Sequence, residues 1–114
     1  MTIVGFCKTE KISSVIRGGT HTIGLRMPNH EIPLAILQEI GVPIIGTSAN
    51  FHGKPTPYTF EDLDQDLLKK VDIVIQGVCS IKQASTVIDC TTVPWKILRQ
   101  GATILDSRFM KYDS

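Results

Sequence analysis

The sequence predicts a mixed α/β domain, and three observations carry that expectation. Apolar residues switch repeatedly between the strand period of two and the helix period of about 3.6. Turn-forming Gly, Pro and Asn punctuate the runs. The chain is 114 residues long, enough for one domain that buries roughly two thirds of its unfolded surface.

The elements follow in order. TIVGFC, Thr2 to Cys7, and TIGLRM, Thr22 to Met27, read as strands, with β-branched and apolar residues flanking Gly24 in the second. HEIPLAILQEI, His30 to Ile40, reads as a helix: Pro33 fits the first turn, Ile32, Ile36 and Ile40 share a face, and Gly41 stops it. Ile44 and Ile45 begin a further strand. Thr59 opens a second helix with a near capping box completed by Asp62, and Phe60, Leu63, Leu67 and Val71 form its apolar stripe. DIVI from Asp72, STVID from Ser85 and WKIL from Trp95 supply three more strand candidates, and DSRFMKYDS at 106–114 reads as a frayed tail.

Composition narrows the function. Net charge is +1, from 12 basic and 11 acidic residues, so bulk charge points to neither nucleic acid nor a membrane surface. No apolar run approaches the roughly 18 residues of a membrane span. The N-terminus has its apolar residues before its basic ones, the wrong order for a secretory leader, so a cytoplasmic protein is expected. Cys7, Cys79 and Cys90 are an odd number without a C-x-x-C pair, which argues for plain thiols over disulfides or zinc. His21, His30 and His52 show no metal-ligand spacing.

Four polar features exceed what the scaffold needs. Arg26 ends an apolar strand and shares a face with Thr22 and Gly24. It is either an arginine pointing outward from a half-buried strand or a guanidinium fork for a carboxylate or phosphate. Ser48 and Asn50 lie two apart in PIIGTSAN, although Asn50 also suits a turn. Ser85 and Thr86 lead the run VID. Arg99 ends another strand just before Gly101. Strand ends carrying small hydroxyls and arginines suggest a pocket for an anionic ligand.

GTHTIGLRMPNH, GTSANFHGKPTPYT, ASTVID and ILRQGA, in that order and spacing, resemble the YrdC-type threonylcarbamoyl-AMP synthase family. The resemblance implies a twisted mixed sheet with flanking helices. The implied reaction joins threonine, bicarbonate and ATP, with Mg2+ accompanying the nucleotide, into threonylcarbamoyl-AMP and pyrophosphate. Its product feeds a downstream transferase that modifies adenosine 37 of tRNA. Position by position, the resemblance implies that Arg26, Gly46 and Ser85 contact threonine. It implies that Thr22, Ser48, Asn50, Thr56 and Arg99 serve ATP.

The chain departs from the family pattern at His21, at His52 and in QGVCSIKQ, and no Lys-x-Arg occurs in it. On this reading residues 1–105 correspond to the C-terminal portion of the family's domain, as a truncated reading frame, as one half of a split gene whose N-terminal half-domain is a separate chain, or as a degenerate paralogue. The isolated chain is then expected to be inactive. The alternative is a non-catalytic module for double-stranded RNA or a protein partner, with Lys8, Lys11, Arg17 and Lys54 either a basic patch or scattered surface cations.

Overall fold

The computed structural model describes residues 1–105, and the expected tail at 106–114 lies outside the described residues. The chain forms two compact units. One joins Met1–Asn29 to the segment that starts at Gln83, and the other is His30–Lys82.

The first unit is built on a four-stranded mixed sheet. Strands β1 (Thr2–Phe6), β2 (Thr22–Arg26), β3 (Val87–Asp89) and β4 (Lys96–Arg99) lie in the order β2-β1-β3-β4. β1 runs antiparallel to β2 and parallel to β3, and β3 runs antiparallel to β4. A register shift between Val87 and Ile88 leaves Leu98 of β4 without a partner across the ladder. One row of paired residues crosses the whole sheet: Arg26 faces Thr2, Thr2 faces Val87, and Val87 faces Arg99. The buried centre is at β3, where Ile88 is 4% exposed and Thr86 fully buried.

Thr86 is a buried hydroxyl with both of its needs met. It accepts a hydrogen bond from the Gly101 N–H at 2.9 Å and donates to the Thr103 carbonyl at 2.5 Å. Ala102 N–H donates to the Ala84 carbonyl at 2.9 Å. This clasp draws 101–103 against 84–86 so closely that only glycine fits at 101. A Cβ there would lie 2.6 Å from the Thr86 nitrogen and closer still to the Ala84 oxygen.

The second unit carries the helices. α1 (Glu31–Ile40) is nearly the expected helix, with Pro33 in its first turn and Gly41 as a left-handed cap whose N–H donates to Leu37 O at 2.9 Å. His30 is its N-cap: Nδ1 accepts from the Ile32 N–H at 3.2 Å. With Nδ1 an acceptor, the neutral ring carries its proton on Nε2, which donates to the Val78 carbonyl at 3.1 Å.

Three expected elements are corrected here. The helix from Thr59 shrinks to α2 (Gln65–Leu68). The Asp62 carboxylate does reach back to the Thr59 N–H at 3.0 Å, but it also takes the Tyr58 N–H at 3.1 Å and closes a turn instead of starting a helix. Asp64 then caps α2 by accepting from Asp66 N–H at 2.8 Å. Neither Ile44–Ile45 nor Asp72–Ile75 enters a ladder. Their apolar runs are open to solvent, with Ile45 75% and Ile73 79% exposed. The large buried core expected from length is also absent among the described residues, where Ile88 is the buried large apolar side chain.

Candidate functional site

In the first unit, alternation along β2 puts Thr22, Gly24 and Arg26 on one face, and the register sets them opposite Phe6, Val4 and Thr2. The Arg26 side chain is exposed and has no hydrogen-bond or ion-pair partner among the described residues. Thr22 is held by its neighbour: its hydroxyl lies 3.0 Å from the Thr20 hydroxyl, which donates to the Arg17 carbonyl at 2.7 Å. Arg17 returns the contact through Nη1 to the Thr20 carbonyl and through Nε to Ile12 O at 2.9 Å. Its guanidinium therefore orders its own loop.

The sheet also joins two predicted residues directly. Arg99 Nε donates to the Ser85 carbonyl at 2.9 Å, and Nη2 donates to the Ser85 hydroxyl at 3.1 Å. Two bonds from one planar guanidinium fix its orientation. The same Ser85 hydroxyl lies 3.1 Å from the hydroxyl of Thr2, a residue that the sequence reading placed in a strand without a site role. The signal that reveals Thr2 is register: it faces Arg26 across β1 and β2.

The second unit holds a cleft of about 560 Å³ lined by Asn50, Phe51, Lys54, Thr56, Tyr58, Asp62 and neighbouring residues. Two predicted residues, Asn50 and Thr56, share it. Gly46 and Ser48 do not line it; both are exposed in irregular chain. Asn50 Nδ2 donates to Lys54 O at 2.8 Å and Phe51 O at 3.2 Å, which fixes the amide's orientation and cinches a tight loop closed by Lys54 N–H to Phe51 O at 2.9 Å. Gly53 sits in that loop at φ 78°, in the left-handed region. The remaining amide oxygen of Asn50 is buried with no hydrogen-bond partner among the described residues. An unmet buried acceptor costs about 1–3 kcal/mol, so the site favours a ligand or solvent donor there.

Charges around the cleft are modest. The Tyr58 and Thr59 donors hold the Asp62 carboxyl below its usual range. Lys70 Nζ lies 5.7 Å from the Phe51 ring centre, within cation–π reach. No group of three or more His, Cys, Asp or Glu placed to hold a metal occurs among the described residues. No helix among them is long and apolar enough to cross a membrane.

Comparison with known proteins adds to this geometry. The family model Sua5/YciO/YrdC, described as telomere recombination, matches residues 1–101. The chain is 39% identical over 100 residues to the threonylcarbamoyl-AMP synthase of Pyrococcus abyssi, covering 87% of this chain and 29% of that protein. It is 36% identical over 102 residues to the Bacillus subtilis threonylcarbamoyl-AMP synthase, covering 89% of this chain and 30% of that protein. A solved structure of a double mutant of P. abyssi Sua5 superposes with a TM-score of 0.81 at 39% identity, over 89% of this chain and 31% of that one. The chain thus spans under a third of the length of these relatives.

Proposed function

The chain belongs to the Sua5/YciO/YrdC family, and from that premise we propose that it supplies threonine- and ATP-binding residues for threonylcarbamoyl-AMP synthesis. The reaction takes threonine, bicarbonate and ATP and serves tRNA threonylcarbamoyladenosine formation in the cytoplasm. A separate transferase would consume the product. The observation that carries the reading is the Ser85–Arg99 pair, in which the expected threonine contact and the expected nucleotide contact are hydrogen-bonded to each other.

The chemistry fits the residue types. The threonine nitrogen bonds to the bicarbonate carbon with loss of water. An oxygen of the resulting carbamate bonds to the α-phosphorus as the bond to the bridging oxygen breaks and pyrophosphate leaves with its charge. Such a step needs fixed cations and donors more than a strong base. Arg99, oriented by its two bonds to Ser85, would meet phosphate oxygens. Arg26, its side chain exposed and unpartnered among the described residues, offers a bidentate fork to the threonine carboxylate. Thr22 meets the nucleotide from the same face of β2. In the other unit Asn50 Oδ1 would accept a ligand N–H or O–H, with Thr56 beside it in the cleft. Gly46 and Ser48 would add backbone and hydroxyl contacts to threonine and ATP respectively. Mg2+ would arrive on the ATP phosphates.

The test is calorimetric titration of the chain with L-threonine and with Mg-ATP. Arg26→Lys keeps the charge and loses the fork, so threonine affinity should fall by about 10- to 150-fold, the equivalent of about 1.5–3 kcal/mol for a charged hydrogen bond. Arg99→Ala should weaken ATP instead. Unchanged threonine affinity in Arg26→Ala, or no binding of either ligand by the wild-type chain, would overturn the reading.

A further inference from the structure

We propose that Thr2 is a positioning residue that sets which way the Ser85 hydroxyl points. Three facts converge on it. Its backbone N–H donates to the Thr86 carbonyl at 2.7 Å, which pins β1 beside Ser85. Its hydroxyl lies 3.1 Å from that of Ser85. In the ladder it stands between Arg26 on one side and β3 on the other.

A serine hydroxyl has one hydrogen to donate and two lone pairs to accept with. Arg99 Nη2 already donates into the Ser85 oxygen. If Thr2 also donates, both lone pairs are engaged and the Ser85 hydrogen has no acceptor among the described residues. It then serves as a directed donor to an anion on the face that Arg26 and Arg99 flank. Without the Thr2 hydroxyl, Ser85 keeps a free lone pair and loses one of the two contacts that fix its rotamer, leaving Arg99 Nη2 as the other. Thr2 therefore acts through Ser85 and not by touching the ligand, and its relevance to threonine rests on the function proposed above.

Thr2→Val is close to isosteric and removes only the hydroxyl, while Thr2→Ser keeps it. Titration of the full chain with L-threonine should show affinity about 5- to 10-fold weaker in Thr2→Val and within about 2-fold of wild type in Thr2→Ser, with Mg-ATP affinity changed little. Ser85→Ala combined with Thr2→Val should be no weaker than Ser85→Ala alone, because the two act as one unit. Additive losses, or unchanged threonine affinity in Thr2→Val, would overturn the proposal. A ligand-free readout separates it from the proposed function. The Hα–Hβ couplings of Ser85 should report a single rotamer in the wild type and in Thr2→Ser, and averaging in Thr2→Val. If the wild type fails to bind threonine, the functional reading falls, and these couplings alone decide whether Thr2 orients Ser85. Identical couplings in all three chains would refute it.

Discussion

The two units hold their candidate residues by different means. In the sheet unit, Ser85 and Arg99 are fixed by contacts between neighbouring strands and their ends: a ladder, a buried threonine bonded 15 positions away and a guanidinium with two bonds 14 positions away. In the helical unit, Asn50 and Thr56 sit on loops shaped by contacts a few residues away, such as Asn50 to Lys54 and Asp62 to Thr59. The first arrangement is preorganised by tertiary structure, and the second by local turn chemistry. Damage should therefore spread in the sheet and stay local in the loops.

The strongest way to break that contrast is a pair of glycine substitutions. Gly101→Ala places a methyl group against backbone atoms of Ala84, Ser85 and Thr86, and overpacking of this kind costs about 3 kcal/mol. Gly53→Ala has open space around its Cβ and meets only the strain of φ 78°, about 1–2 kcal/mol. Chemical denaturation should rank the two in that order. Amide spectra should show shifts spreading through β3 and β4 for the first and confined to the 50–58 loop for the second. Equal costs would erase the distinction.

A milder probe sharpens it within the helical unit. His30→Ala removes the α1 cap and the bond to Val78, and cap loss typically costs about 1 kcal/mol. His30→Asn, which retains a capping acceptor, should recover most of it. Helicity read by circular dichroism should fall for alanine only; no change in either variant would mean that the cap contributes nothing.

The smallest effect is expected from pH. Thr91, through its hydroxyl and then its N–H, lowers the pKa of Asp89 in the sheet unit, and the Tyr58 and Thr59 donors lower that of Asp62 in the other. A carboxylate whose folded pKa is depressed stabilises the fold above its unfolded value, near 3.8, and that contribution disappears as pH falls through the folded value. Unfolding midpoints measured from about pH 6 to about pH 2 should drop below about pH 4, and less so in Asp89→Asn and Asp62→Asn. A drop of the same size in both variants would assign the acid sensitivity elsewhere.

How legible these regions were in sequence follows the same division. β1, β2 and α1 were readable because their cues are local: alternation around Gly24, Pro33 near a helix start, Gly41 after its end. Ser85 and Arg99 were readable as motif positions, but their mutual hydrogen bonds were not, since nothing local joins β4 to the approach of β3. Thr2 was invisible for the same reason. The misread strands at Ile44–Ile45 and Asp72–Ile75 have strand composition without a ladder partner, and composition alone supplies no neighbour. Likewise Asp62 satisfied the letter pattern of a capping box, yet its second bond to Tyr58 turned the chain instead.

The Thr2–Ser85 contact spans 83 positions of chain, so pairing β1 with β3 closes a long loop. By the usual logarithmic rule that closure costs on the order of 4 kcal/mol in chain entropy, and doubling the loop would add only about 0.6 kcal/mol. Contact order, more than stability, bears the burden: β1 and β2 can zip as neighbours, while β3 must be found from across the intervening His30–Lys82 unit. The sheet is thus nearly indifferent to how much chain lies between Asn29 and Gln83, and acutely dependent on the few bonds that close the circuit.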